Sequence, residues 1–85
     1  FSFFVECKDQ QEVDYFWENL IADGGAPSQC GWLTDKFGVS WQIVPTALSQ
    51  MLNDPDRERA HRVTQAMLKM TKIEIHELEE AFQEG

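Results

Sequence analysis

Val13, Phe16, Trp17, Leu20 and Ile21 recur at the i, i+3, i+4, i+7, i+8 spacing of a helix with one apolar face, which has to be buried against something. Immediately before them, residues 1–7 (FSFFVEC) are rich in β-favouring side chains. Alternation sends Phe1, Phe3, Val5 and Cys7 to one side and Ser2, Phe4 and Glu6 to the other. A strand feeding an amphipathic helix restricts the chain to a layered α-on-β arrangement. Both strand faces are largely apolar, which predicts a central strand. Asp9 is placed to cap the helix, and Asp23-Gly24-Gly25-Ala26-Pro27 to stop it.

Residues 29–34 and 39–44 flank Asp35-Lys36-Phe37-Gly38 and read as an antiparallel hairpin whose second strand ends at Pro45. Residues 47–52 make a short helical turn, and Asn53-Asp54-Pro55-Asp56 starts a helix over 57–70 with Ala60, Val63, Met67 and Met70 on one stripe. Residues 72–75 alternate and read either as a short strand or as the approach to a last helix in which Ile75, Leu78 and Phe82 align. The order predicts an α+β domain spanning 1–85, with helices on one face of a mixed or antiparallel sheet.

With 85 residues there is room for one small domain, and 42% hydrophobic residues suffice to fold it. Fifteen acidic against seven basic side chains give a net charge of −8, which repels phosphate backbones and anionic lipid surfaces. No nucleic-acid or membrane partner is expected, and in the absence of a signal-like segment the expected compartment is the cytosol. Cys7 and Cys30 read as reduced thiols. The chain opens on an apolar run without an initiator methionine, so a piece of a longer protein is expected.

The motifs for chemistry are sparse. Gly24-Gly25 is a helix stop, since no glycine-rich phosphate loop follows a strand. For the same reason no S-adenosylmethionine cradle of the doubly wound type is read. His61 and His76 lack a partner at ligand spacing, and no nucleophile motif surrounds either cysteine. Glu74, Glu77, Glu79, Glu80 and Glu84 read as the solvated face of the last helix. Trp41 alternates with Ile43 toward the helix-covered face, Ser40, Gln42 and Val44 take the other, and Trp32 stays open between the two.

FSFFVECKDQQEVDYFWENL, QCGWLTDKFGVSWQIVP and DPDRERAHRVTQAMLKMTKIEIHELEEAF together resemble the C-terminal half of a PhnB-like protein. That family belongs to the vicinal oxygen chelate superfamily of glyoxalase, bleomycin-resistance and extradiol dioxygenase proteins, and its members are often labelled 3-demethylubiquinone-9 3-methyltransferase. The resemblance implies a single βαβββ module with extra C-terminal helices, its sheet completed by a second module. It makes residues 72–75 the fourth strand. Metal-using members carry two ligands per module, at positions that Ser2 and Gln42 take here, and neither is the usual histidine or glutamate.

From these readings Ser2, Phe4, Glu6, Ser40 and Gln42, with Trp32 as a possible wall, are expected to line a ligand pocket. No catalytic residue, metal ligand or cofactor is assigned. The expected partner is a second copy, as a homodimer, or the missing N-terminal module, with a small organic ligand between them. The alternative is an enzyme, either a metal-dependent member of the superfamily or the methyltransferase of the label.

Overall fold

The computed structural model describes residues 1–83. Glu84, the last member of the acidic run, lies outside them. The chain runs β1 (Phe3–Cys7), α1 (Gln10–Ile21), β2 (Ala26–Pro27), β3 (Trp32–Thr34), β4 (Ser40–Pro45), α2 (Thr46–Leu52), α3 (Arg57–Met67) and α4 (Ile75–Gln83).

α1 begins where Asp9 accepts the Glu12 N–H on Oδ1 at 2.9 Å and Glu12 in turn accepts the Lys8 N–H at 2.7 Å, so two otherwise unpaired donors are satisfied. It ends as the backbone turns left-handed at Asp23 (φ 59°) and Gly24 (φ 114°). Gly25 then passes so close beneath the helix that a Cβ there would lie 2.5 Å from the Ile21 Cα. Backbone cannot yield as a side-chain tip can. Gly25→Ala should therefore cost about 2 kcal/mol, seen as a fall of roughly 10 °C in melting temperature.

The four strands form one sheet in the order β1-β4-β3-β2, with β1 parallel to β4 and the other pairs antiparallel. The α+β class, the hairpin and the mixed sheet are as the sequence predicts. Two strand assignments need correction. β1 lies at an edge, not in the centre; the apolar character of its second face reflects a sheet surface left open rather than one covered by helices. The strand that completes the βαβββ unit is Ala26–Pro27, second in chain order, and residues 72–75 form no strand. Their hydrogen bonds go instead to a side chain, described below.

Among the described residues, only α1 lies across the sheet. Val13 and Trp17 pack with Cys7, Leu33 and Ile43 into a first core, and Trp41 leans on it, its indole N–H donating to Asp35 Oδ2 at 2.9 Å. Asp35 also accepts the Phe37 and Val39 N–H groups and so shapes the hairpin turn. The remaining helices make a second core from Leu48, Val63, Met70, Ile73 and Leu78, against which Val44 packs. Asp56 caps α3 by accepting the Glu58 and Arg59 N–H groups, and that helix stops at Met67, short of the predicted Met70. The Arg62 guanidinium binds the Ala81 and Phe82 carbonyls near the end of α4. Among the described residues no helix is long and apolar enough to cross a membrane.

The two cores meet along residues 70–75. The Cys30 and Gly31 N–H groups donate to the Met70 and Thr71 carbonyls at 2.9 and 2.8 Å. Gln10 completes the seam: its Nε2 donates to the Ile73 carbonyl at 3.0 Å and its Oε1 accepts the Ile75 N–H at 2.7 Å. One amide thus does for this segment what a neighbouring strand would do. Beside it Lys72 Nζ lies 2.7 Å from Asp14 Oδ1 and 3.7 Å from Glu74 Oε2.

The Lys72 ammonium, with help from the Gln10 amide, holds the Asp14 carboxyl below the usual carboxylate range, and Asp14 raises Lys72 in turn. A carboxyl depressed by folding stabilises above its unfolded pKa and loses that contribution as pH falls through its folded one. The Lys72 contribution is complete below the unfolded lysine value and is lost as pH rises through the folded one. The seam should accordingly hold from about pH 4 to about pH 10 and weaken outside those limits, with the alkaline change abolished and the acid one reduced in Lys72→Met, where Gln10 still binds Asp14. Amide exchange at residues 72–75 across that range checks it.

Candidate functional site

The face of the sheet opposite α1 carries Ser2, Phe4, Glu6, Trp32, Ser40 and Gln42. Registration places Phe4 beside Gln42 and Gln42 beside Trp32, so one row runs aromatic, amide, aromatic across β1, β4 and β3. Phe4 is 56% exposed and Trp32 39%, far more than single buried-face residues of a closed sheet. Leu33, between Trp32 and Thr34, is buried under α1, which sends Trp32 to the open side and decides the orientation that sequence alternation leaves open.

Gln42 Nε2 donates to Ser2 Oγ at 3.0 Å. These are the two positions that the family resemblance equates with metal ligands, and the fold does bring them together. Both are neutral. A hydroxyl and an amide offer a divalent ion no charge and no imidazole, so this pair does not fit a metal on its own. Glu6 stands beside Val44 on the same face, and Val44, packed on the second core, closes that end. Ser40 pairs with Thr34 at the other.

Sequence reasoning missed Ser28, Gln29 and Thr34. With Cys30, Trp32 and Ser40 they surround a depression of ≈ 320 Å³ at the β3 margin. Thr34 was legible, since it alternates with Trp32 and faces Ser40. Ser28 and Gln29 were not, because only the fold turns their loop back onto the strand.

The remaining candidates lie elsewhere. His61 and His76 are exposed, and His76 sits 3.5 Å from Glu80. Cys7 is fully buried under α1, where burial first, and then the Glu12 and Asp9 carboxylates, push its thiol up to about 11. It stays protonated near neutrality and is no nucleophile.

The turn between β1 and α1 carries Lys8 and Asp9 rather than glycines, and the Asp9 carboxylate itself occupies the helix N-terminus where a nucleotide-type cofactor would be held. These residues do not fit an S-adenosylmethionine cradle of that type.

Comparison with known families matches residues 1–44 to a family model described as 3-demethylubiquinone-9 3-methyltransferase. The matched span takes in β1, α1, β2, β3 and all but the last residue of β4. None of the curated proteins matches the chain.

Proposed function

Because the chain belongs to the 3-demethylubiquinone-9 3-methyltransferase family, of glyoxalase-like PhnB type, we propose that it is a pocket-forming module, its open sheet face supplying one wall for a small organic ligand. The other wall comes from a second module, either another copy of this chain or a preceding half of a longer protein. The observation that carries this reading is the exposed Phe4–Gln42–Trp32 row. Such a surface favours association by roughly 25 cal/mol per Å² of apolar area buried, and between the two rings it leaves one amide to orient a ligand.

The neutral Ser2–Gln42 pair and the chemistry of the β1–α1 turn favour holding a ligand over activating one. On this reading the methyltransferase label describes the family and not a reaction of these residues. Native mass spectrometry tests it directly. The expected species is a dimer of the chain, without a divalent ion retained through desalting. A species that stays monomeric at about 100 µM, where micromolar association is nearly complete, would remove the second wall in the form of a second copy. Saturable binding of S-adenosylmethionine would overturn the reading in favour of the enzyme.

A further inference from the structure

After Pro27 the chain turns back on itself. The Ser28 N–H donates to the Trp32 carbonyl at 2.9 Å, the Trp32 N–H donates to the Gln29 carbonyl at 3.1 Å, and Cys30 and Gly31 take φ of 58° and 85°. This tight return leaves the ≈ 320 Å³ depression beside Trp32. Its size sits at the low end of the roughly 300–1,000 Å³ of small-molecule pockets, which suits a single ring.

None of the side chains of Ser28, Gln29, Cys30, Trp32, Thr34 and Ser40 is a charged group, in a chain where 26% of residues are Asp, Glu, Lys or Arg. Trp32 offers an indole wall. Three hydroxyls and one primary amide surround it, each able both to donate and to accept. Among the described residues, none of these four side chains is taken up in a hydrogen bond to another protein group: the side-chain bonds on the strands are those of Gln42 to Ser2, Trp41 to Asp35 and Thr46 to Cys7, which leaves the four groups for a ligand.

A charged ligand would give up hydration here without meeting a counter-ion, and a plain hydrocarbon would leave the hydroxyls unmatched. A neutral ring carrying several hydroxyls satisfies both demands, with its C–H face on the indole and its hydroxyls on the rim. We propose that the depression at the β3 margin is a subsite for a neutral polyhydroxylated ring of monosaccharide size. The proposal rests on the reading of the open face as a ligand wall and names the class of ligand held at one end of it.

The test is a titration of the uniformly ¹⁵N-labelled chain with methyl β-D-glucopyranoside, methyl β-D-galactopyranoside, methyl α-D-mannopyranoside and myo-inositol, following the Trp32 indole and Ser40 amide signals. At least one should give saturable shifts at both positions with a dissociation constant of about 1–10 mM. Glucose 6-phosphate and glucosamine, the same ring with a charge, should bind at least about tenfold more weakly. Read at the Ser40 amide, Trp32→Ala should abolish the shift and Trp32→Phe retain it, with the rest of the amide spectrum unchanged in both.

No saturable shift from any of the four up to about 100 mM, or equal binding of the charged rings, overturns the proposal. Sedimentation of the same samples reads the pairing separately. A dimer that binds none of the four leaves the two-wall reading standing and the subsite refuted. A monomer that binds one of them upholds the subsite and removes a second copy of the chain as the other wall.

Discussion

Gln10→Ala should destabilise the chain by about 2–3 kcal/mol, a fall on the order of 10–20 °C in melting temperature. The size follows from what the amide joins. Removing it takes partners from the Ile73 carbonyl and the Ile75 N–H at once, at a half-buried seam where each unmatched group costs about 1–3 kcal/mol. It also removes the Nε2 contact to Asp14 at 3.0 Å, leaving that carboxylate to Lys72 alone.

The loss should be local. Hydrogen exchange at Ile75 and the first turn of α4 should quicken well before the amides of β4, because the first core does not touch the seam through Gln10. Gln10→Glu should fare no better, since it accepts from Ile75 but no longer donates to Ile73 and adds a carboxylate beside Asp14 and Glu74. A Gln10→Ala variant within about 0.5 kcal/mol of the parent would show that the Cys30 and Gly31 backbone bonds hold the seam unaided.

The second large effect is on association. Phe4→Asp should weaken self-association by about 100-fold or more while leaving the melting temperature of the dissociated chain within a few degrees. Phe4 is more than half exposed on the open face, so the folded monomer loses little when the ring goes. In a paired sheet the same position exchanges roughly 1.5–3 kcal/mol of ring burial for a carboxylate that must be desolvated, and each 1.4 kcal/mol is tenfold in affinity. Tyr15→Asp, on the outer side of α1 at 62% exposure, is the matched control and should not change association. Sedimentation equilibrium over a concentration series distinguishes the two, and a Phe4→Asp protein that pairs like the parent would move the interface off this face.

Much of the fold could be read from the chain because its strongest signals are local. The Val13–Ile21 stripe, the Asp9 and Asp56 caps and the hairpin around Asp35 each depend on neighbours within a few residues, and each forms as the pattern requires. What failed was non-local. β2 consists of Ala26–Pro27, too short to alternate and carrying a proline that argues against a strand, and it exists because β3 is beside it. Residues 72–75 alternate like a strand, yet Ile73 and Ile75 are bound by a glutamine more than sixty residues earlier, which no window of sequence could show.

The residues of the candidate site were legible in part for the same reason. Period-two alternation separates Phe4 and Gln42 from Val5 and Ile43, and the register then aligns them. Ser28 and Gln29 reach the rim only through the left-handed turn at Cys30 and Gly31.

β4 passes into α2 without a connecting loop: Pro45 is both the residue paired with Cys7 and the residue that precedes the first turn of the helix, and the Thr46 hydroxyl donates to the Cys7 carbonyl at 3.2 Å. Strand and helix therefore behave as one stiff rod with a bend in it. Any shear imposed on the sheet is delivered to the helical end as a rotation, with no slack segment to absorb it. The open face of the sheet and the far helices are mechanically geared.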